Sequence, residues 1–252
     1  SDLEGNVITT LESGEGQGIS KEAGVYRTSA FLQYPSFRGF EGMIFWAAGA
    51  RAITAPPGIY RITMKTEFAG RRQNRIEEQS TAFRWVADPR SGSSDADLRA
   101  QFELAMRINE RTNNANDAVY MIRDIKTKVD AAIEASGNDQ ALLRAGEALK
   151  DRLSAPEGEI YQVRNRSGQD PLNFPIKLNN KIAALLGVVM SGDYRPTDQS
   201  YEVFAILSAE LQVQLERLHE ILTTDLAAFN RQLAGMSLEE IVPHDRSKDE
   251  GS

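Results

Sequence analysis

The spacing of apolar residues changes once along this chain of 252 residues, near Arg90, and that change limits the folds open to it. Up to Arg90, apolar residues recur at every second position, which is the repeat of a strand with one buried face. Beyond Arg90 the repeat lengthens to about 3.6, which is typical of amphipathic helices. The sequence therefore predicts an α+β protein, with strands in its first part and helices in its second.

The first part predicts a β-sandwich. In "PPGIYRITMKTEF", one face of the strand carries Tyr60, Ile62, Met64 and Phe68. The segments "EGNVITTL", "AGVYRTSAFLQY", "GMIFWAAG" and "STAFRWVAD" have a similar character, and turns with Gly or Pro separate them. This spacing is typical of an antiparallel sandwich of about five to seven strands, of the immunoglobulin or fibronectin III type. We expect this domain at residues 1–90.

The second part predicts an antiparallel bundle of three or four long helices at residues 91–236, followed by a polar tail at residues 237–252. Ser94 and Asp97 form a capping-box pattern at the start of the first helix, and Gly137 is expected just past its end. The middle of this helix, "NERTNNAND", is so polar that we expect it to face solvent or to project beyond the bundle. Pro156 predicts a kink or a restart in the second helix.

A stiff, polar segment, "SGQDPLNFPIKLNNK", separates the second helix from the third. Proline disfavours the helical conformation of the residue before it, and it suits the first turn of a new helix. We therefore predict a rigid reversal of the chain, with an exposed polar face at the start of the next helix and with binding as the alternative role. The predicted joint consists of Asp170, Pro171, Asn173 as the helix cap, Phe174 and Pro175.

The segment "QYPSFRGFEGMIFW" carries more aromatic surface than one small sandwich easily buries. Aromatic residues dominate the energetics of protein interfaces. We predict that part of this set, particularly Phe45 or Trp46, is core, and that the remainder contacts the helices, a propeller domain or a partner protein. Ligand binding is the alternative. The predicted interface residues are Tyr34, Phe37, Phe40, Phe45 and Trp46.

Charge and hydropathy argue against two classes of partner. The formal net charge is −7 and the sequence pI is about 5.1, whereas nucleic-acid binding requires an excess of basic residues on one surface. Arg71 and Arg72 are followed by Glu77 and Glu78, which indicates a solvated hairpin loop. The longest uncharged apolar run, residues 182–190, is far shorter than the roughly 20 residues that span a bilayer. We expect neither nucleic-acid binding nor a membrane span.

The residues that could carry chemistry are few. The chain has no cysteine, and its two histidines, His219 and His244, lie far apart in sequence, which offers no spacing for a metal site. Two acidic pairs resemble those of glycoside hydrolases: Asp95 with Asp97, and Glu239 with Glu240. They lie at a helix start and in the polar tail, where carboxylates favour the helix dipole or solubility. We predict no catalytic residue, no metal and no cofactor.

The stretch "SGQDPLNFPIKLNNKIAALLGVVMSGDYRPTDQSYEVFAILSAELQVQLERL" resembles the C-terminal helical region of bacterial sortilin-like proteins, often labelled glycosyl hydrolases with BNR repeats. The segments "FRGFEGMIFWAAGARAITAPPGIYRITM" and "DPR" resemble the region of that family that precedes the helices. The resemblance covers most of the chain. It implies that a β-propeller precedes these regions and carries any sugar-cleaving or protein-binding site. The Asp-box of BNR repeats has no match in this sequence.

We therefore expect a noncatalytic structural or protein-interaction module, the C-terminal part of a sortilin-like exported bacterial protein of the periplasm or cell surface. The start "SDLEGNVITTL" predicts a processed or truncated piece of a longer protein. The expected partner is the absent propeller or another protein. Two alternatives remain open. The first is an accessory region of a BNR-propeller glycosyl hydrolase whose active site lies outside this chain. The second is a subunit of a larger cell-envelope assembly.

Overall fold

A computed structural model describes residues 1–14, 19–22, 24–68 and 75–246, so the predicted loop at Arg71 and Arg72 lies outside the described residues. Mixed helix and strand, the coarse fold class, is confirmed. The strands are β1 Gln33–Tyr34, β2 Ile53–Thr54, β3 Gly58–Phe68 and β4 Arg75–Trp85. The helices are α1 Asp95–Ala135, α2 Gln140–Ile160, α3 Leu178–Val189, α4 Asp198–Ile221 and α5 Ala227–Gly235, with a 3₁₀ turn at Asp170–Leu172 and a π turn at Leu222–Leu226.

The strands form two small antiparallel sheets, β1 with β2 and β3 with β4. In the longer sheet the register runs from Gly58 opposite Trp85 to Phe68 opposite Arg75. The described residues thus hold four strands, fewer than the five to seven predicted. Residues 42–49, predicted as a strand, do not form one. The side chains of Tyr161 and Asn180 instead bond to the peptide groups of Gly42, Ile44 and Trp46.

The chain divides into two compact units whose segments alternate along the sequence. We call them the strand unit and the helical unit. The strand unit comprises the described residues of Ser1–Ser36, Arg51–Met106 and Met190–Pro196, and the helical unit those of Phe37–Ala50, Arg107–Val189 and Thr197–Ser252. These limits differ from the boundary predicted after residue 90, and the predicted domains stay a prediction.

The strand unit has a small aromatic core. Ile8, Ala55 and Tyr60 are buried, and the Tyr60 hydroxyl donates to the Pro56 carbonyl at 2.7 Å. Because β3 and β4 place Tyr60 opposite Phe83, the two rings pack with centroids 6.1 Å apart. Most other side chains of these two strands are exposed, so the sheet is buried at one end only.

The predicted capping box at the start of α1 is confirmed. The backbone N–H of Asp97 donates to Ser94 Oγ at 3.2 Å, and the backbone N–H of Ser94 donates to the Asp97 carboxylate at 3.2 Å. The Ser94 hydroxyl donates to the same carboxylate at 2.6 Å, and this hydrogen bond is the main reason that the pKa of Asp97 is lowered. Asp97 therefore serves the helix start, as the sequence indicates.

The helical unit contains α1 from Arg107 onward. Gly137 has a φ of +72° and ends α1 as predicted, and Asp139 then accepts from the Ala141 and Leu142 backbone N–H groups as the cap of α2. Pro156 lies inside α2, which does not restart there. Leu153 and Ile160 are fully buried on either side of it, and burying two such side chains, at about 1.5–3 kcal/mol each, offsets the roughly 3 kcal/mol that an internal proline costs.

The last long helix, α4, begins at Asp198, and Thr197 caps it. It continues to Gly235 through the π turn, where Thr223 and Thr224 donate their hydroxyls to carbonyls one turn earlier. A π turn adds one residue to a helical turn and rotates the helix face beyond it. Leu218 before the turn and Phe229 after it are both buried.

The segment after α5, where the sequence predicted a polar tail, packs against helices over its described part, residues 237–246. Ile241 is buried, and its backbone N–H and C=O both bond to the Asn230 amide at 3.0 Å. Arg246 lies over the Tyr120 ring, with its guanidinium carbon 4.6 Å from the ring centroid. His244 contacts the same ring edge-on at 5.8 Å. Among the described ranges, no helix combines the length and hydropathy needed to cross a membrane.

Gly146 in α2 lies directly against α1. A Cβ atom at Gly146 would lie 2.7 Å from Ile133 Cδ1 and 2.9 Å from Val129 Cγ1, both in α1. A Cβ at Gly187, inside α3, would meet no atom within 4 Å. A side chain at Gly146 would therefore clash with α1, whereas one at Gly187 would have room.

We expect Gly146→Ala to destabilise the protein by about 1–3 kcal/mol, because the two buried side chains must move. Gly187→Ala should stabilise it by about 0.5–1 kcal/mol through helix propensity. Urea unfolding followed by circular dichroism at 222 nm measures both. Equal effects of the two substitutions would contradict the close approach at Gly146.

Candidate functional site

Residues 37–46, which we call the aromatic loop, pack against α1, α2 and α3 within the helical unit. Phe37 is buried, and its ring lies 5.9 Å from that of Phe45. Phe40 meets the Tyr161 ring edge-on at 5.0 Å. Aromatic pairs at these distances add to the stabilisation that burial alone provides. The loop is therefore an ordered part of the helical unit.

Arg123 of α1 lies beneath the loop. Its guanidinium carbon is 4.9 Å from the Phe40 ring centroid and 5.2 Å from the Tyr161 ring centroid. Its Nε donates to Glu157 at 2.9 Å, and Lys126 Nζ donates to the other oxygen of Glu157 at 2.6 Å. The buried Glu157 carboxylate thus has two cationic partners, which is how buried charges are satisfied. The ion pair with Glu157 thus holds the Arg123 guanidinium beside both aromatic rings.

Amide side chains bind the main chain of the loop at two positions. Asn113 Oδ1 accepts from the Arg38 N–H at 2.6 Å, and Asn116 Nδ2 donates to the Arg38 carbonyl at 2.7 Å. Asn180 alone does both at Trp46, accepting from its N–H at 2.7 Å and donating to its carbonyl at 2.9 Å. A side-chain amide offers the same donor and acceptor as a peptide group, so it replaces a neighbouring strand. We call these four hydrogen bonds the amide contacts.

A tyrosine hydroxyl forms hydrogen bonds with backbone groups in the middle of the loop. Tyr161 Oη accepts from the Ile44 N–H and donates to the Gly42 carbonyl, both at 3.1 Å. Directly after Trp46, Ala47 has a φ of +52°, a conformation that costs a non-glycine residue roughly 1–2 kcal/mol. The two hydrogen bonds of Asn180 to the neighbouring Trp46 offset that cost. The chain path through the loop is therefore fixed by side chains of α1 and α3 and by Tyr161, directly after α2.

Two sequence expectations about polar residues are wrong here. The middle of α1 does not face solvent, because Thr112 and Asn116 are fully buried and Asn109 is nearly so. The polar start of α3 is likewise not an exposed face, because Asn179 and Asn180 are buried. Asn179 donates to Asn116 Oδ1 at 3.0 Å, and this bond joins the two polar segments. Among these buried residues, Asn116 and Asn180 carry amide contacts, which satisfy their side chains.

The structure distributes the five predicted interface residues over both units. Tyr34 lies in the strand unit, where its ring packs 5.0 Å from Phe102 and burial raises its pKa. Phe37, Phe40, Phe45 and Trp46 lie in the helical unit. Phe37 is the buried member, whereas the sequence favoured Phe45 or Trp46, and Trp46 remains 42% exposed. A binding role for the set stays a prediction.

The predicted joint forms a tight turn, although two details differ. α3 begins at Leu178, so Asn173 is not its cap and Pro175 precedes its first turn. Instead the N–H of Asn173 donates to the Asp170 carbonyl at 2.8 Å, which closes the 3₁₀ turn that contains Pro171. The Phe174 ring lies 4.0 Å below the Arg164 guanidinium carbon. Gln162 Nε2 donates to the Pro175 carbonyl at 2.8 Å and closes the reversal.

Asp170 organises the start of this turn. Its carboxylate accepts from the backbone N–H groups of Arg166 at 2.5 Å and Ser167 at 2.8 Å. These two hydrogen bonds, that of Arg166 first, lower the pKa of Asp170. Asp170 is therefore a turn-forming residue in this structure, and no described contact assigns it a ligand.

The residues weighed for catalysis are distributed over both units. Asp97 belongs to the capping box of the strand unit, whereas His219 and the Glu239–Glu240 pair are exposed in the helical unit. His244 packs on Tyr120. Within the described ranges, no group of three or more His, Cys, Asp or Glu side chains is arranged to hold a metal ion.

Comparisons with known proteins found no family model, no curated protein and no solved structure that matches the chain. The resemblance to sortilin-like proteins therefore remains a proposal that depends on the sequence motifs quoted above.

We expect Asn180→Ala to release the end of the loop at Trp46. The change removes two hydrogen bonds and leaves two main-chain groups without them, at a cost of about 1–3 kcal/mol in unfolding free energy. In a Trp85→Phe background Trp46 is the remaining tryptophan, so acrylamide quenching of its fluorescence should increase. Asn173→Ala, at an exposed asparagine without this role, is the control. Unchanged quenching in Asn180→Ala would show that other contacts order the loop.

Asp170→Asn should lower stability near neutral pH, because a neutral amide accepts the two N–H groups less strongly. The folded pKa lies below the unfolded value, so this contribution is present above about pH 4 and is lost as the pH falls through the folded pKa. The stability difference from the parent protein should therefore shrink in acid. Urea unfolding at several pH values measures it, with Asp151→Asn as an exposed control. A difference that grows in acid would contradict the role of the carboxylate.

Proposed function

We propose that this chain is a noncatalytic protein-interaction module and that the aromatic loop is its contact surface. The observation that supports the proposal most directly is at Trp46. Asn180 holds both main-chain groups of this residue, while its indole stays 42% exposed. Tryptophan is enriched among the residues that dominate binding energy. A large aromatic side chain presented from a fixed backbone suits an interface anchor.

The fixed backbone matters for affinity. Ordering a flexible loop on binding costs free energy, at about 0.5–1.5 kcal/mol for each immobilised side chain. In this protein hydrogen bonds at Arg38, Tyr161 and Asn180 already order the loop in the folded chain. Binding therefore requires little further loss of conformational entropy from its backbone. The partly exposed side chains around Trp46 include Met43, Ile44 and Phe45. Together they offer a small apolar surface with one aromatic anchor.

The proposed partner is a β-propeller, as the resemblance to sortilin-like and BNR-repeat proteins implies, or another protein of the cell envelope. On the same grounds we propose an exported bacterial protein of the periplasm or cell surface. A glycosyl hydrolase whose active site lies on the propeller is the enzymatic alternative. Assaying a longer protein that includes a propeller beside this chain, on one panel of glycans, distinguishes the two.

The finer architecture is part of the proposal. For the helices we propose an antiparallel bundle, which is supported by the packing of α4 on α2 and α3 and of α5 on α2. For the first ninety residues the sandwich stays a prediction, since the described strands pair two by two. Backbone assignment by NMR, with nuclear Overhauser contacts between sheets, would decide that point.

A photo-crosslinking amino acid at position 46 tests the contact surface in the bacterial host. We expect covalent capture of one main partner from position 46. Capture from position 26 should be much weaker, because Tyr26 is equally exposed, at 43%, but lies in the strand unit. Capture from position 46 should also fall when Asn180→Ala is combined with it. Equal capture from both positions, or no effect of Asn180→Ala, would contradict the proposal.

A further inference from the structure

The long sheet of the strand unit has one hydrogen-bonding edge that no described residue occupies. The other edge, that of β3, is partly covered, since Arg61 and Ser1 exchange two backbone hydrogen bonds, each at 3.0 Å. No described backbone group bonds to the outer edge of β4. Every side chain of β4 except that of Phe83 is exposed. A two-stranded sheet this exposed is marginal in water without a further strand.

The direction of the free peptide groups follows from the Ser1 contact. Because Arg61 bonds to Ser1, its N–H and C=O point away from β4. Successive residues in an antiparallel pair alternate in direction, and Arg61 lies opposite Ala82. Ala82 therefore points its peptide groups away from β3. The same holds for every second residue along β4, namely Ile76, Glu78, Ser80, Ala82 and Arg84.

We propose that this edge pairs with the same edge of a second copy, with Thr81 of each copy on the two-fold axis. Antiparallel pairing about Thr81 places Ser80 opposite the Ala82 of the second copy, so peptide groups that point outward meet. It also places Glu78 opposite Arg84 and, at the ends, Ile76 opposite Val86. By symmetry each of these pairs occurs twice. The result is a continuous four-stranded antiparallel sheet.

Charge and exposure favour this register over its neighbours. Glu78 and Arg84 carry opposite charges, and Ile76 and Val86 are 68% and 61% exposed in the single chain. A shift of two residues one way places Ile76 opposite Arg84, and a shift the other way places Ile76 opposite Asp88. Both shifts also remove the charge pairing at Glu78. Opposite charges and apolar pairs directly across strands stabilise a sheet.

Lys65 extends the charge pattern. It lies opposite Glu78 within the sheet, with Lys65 Nζ 3.5 Å from Glu78 Oε2, and both side chains are well exposed. In the dimer, Glu78 would lie between Lys65 of its own copy and Arg84 of the second copy. By symmetry the dimer would contain two such rows of alternating charge, each formed by residues of both copies. This complementarity identifies a second copy as the occupant of the edge.

A single cysteine tests the register directly, because the chain has none of its own. Thr81 would face its symmetry mate in a non-hydrogen-bonded pair, with Cα atoms about 4.5 Å apart, which suits a disulfide. We expect Thr81→Cys to form a covalent dimer rapidly under mild oxidation. Gln79→Cys, on the same face but opposite Phe83, should not. Equal rates for the two variants, or no dimer from either, would overturn the proposal.

Charge reversal tests the pairing in solution. We expect Glu78→Arg and Arg84→Glu each to weaken dimerisation about tenfold, measured by sedimentation equilibrium, because like charges would oppose each other twice. The double variant should restore the affinity of the parent chain. Arg61→Glu, the same charge change one strand away, is the control. A chain that is monomeric at every concentration, or a double variant no better than the singles, would overturn the proposal.

Ser80→Pro provides a separate check that leaves the sheet itself intact. The N–H of residue 80 points away from β3, so a proline there removes a hydrogen bond only from the proposed dimer. Circular dichroism should stay unchanged while dimerisation is lost. A dimer that survives Ser80→Pro would mean that another surface joins the copies, and the edge would then not be the interface.

Discussion

The structure of the helical unit depends on how side chains supply hydrogen bonds to the peptide groups of the aromatic loop, which has no neighbouring strand. Buried peptide groups must find hydrogen bonds, or each costs about 1–3 kcal/mol. Here amide side chains of α1 and α3 and the hydroxyl of Tyr161 supply these bonds. The hydrogen bonds of Asn113 and Asn116 to Arg38 satisfy peptide groups next to the buried Phe37. The apolar packing of the loop thus depends on a polar core beneath it.

This arrangement explains which features the sequence predicted and which it did not. The capping box at Ser94 and Asp97, the end of α1 at Gly137 and the start of α4 at Thr197 were predictable, because each depends on residues within one turn. The burial of Asn116 and Asn180 was not, since an asparagine in a helix has the same sequence signature whether water or a distant loop is its partner. Periodicity counts such residues as exposed.

The same reasoning applies to the strands. Residues 42–49 have the composition of a strand, but composition does not tell whether a neighbouring strand or a set of side chains will bond to the backbone. The candidate site shows a similar limit. The aromatic character of residues 34–46 marked the correct region, whereas the burial of Phe37 rather than Trp46 depends on where α1 and α2 lie. At Pro156 tertiary packing overrides a local signal, because the proline predicts a kink or a restart but α2 continues through it.

Because the amide contacts reach main-chain atoms, they do not depend on which side chains Arg38 and Trp46 carry. The backbone course of residues 38–46 can therefore persist while the exposed side chains change. Evolution could vary the chemistry displayed at positions 43–46 with little loss of fold, much as immune receptors vary their loops on a constant framework. Related chains could keep the asparagines and recognise different molecules.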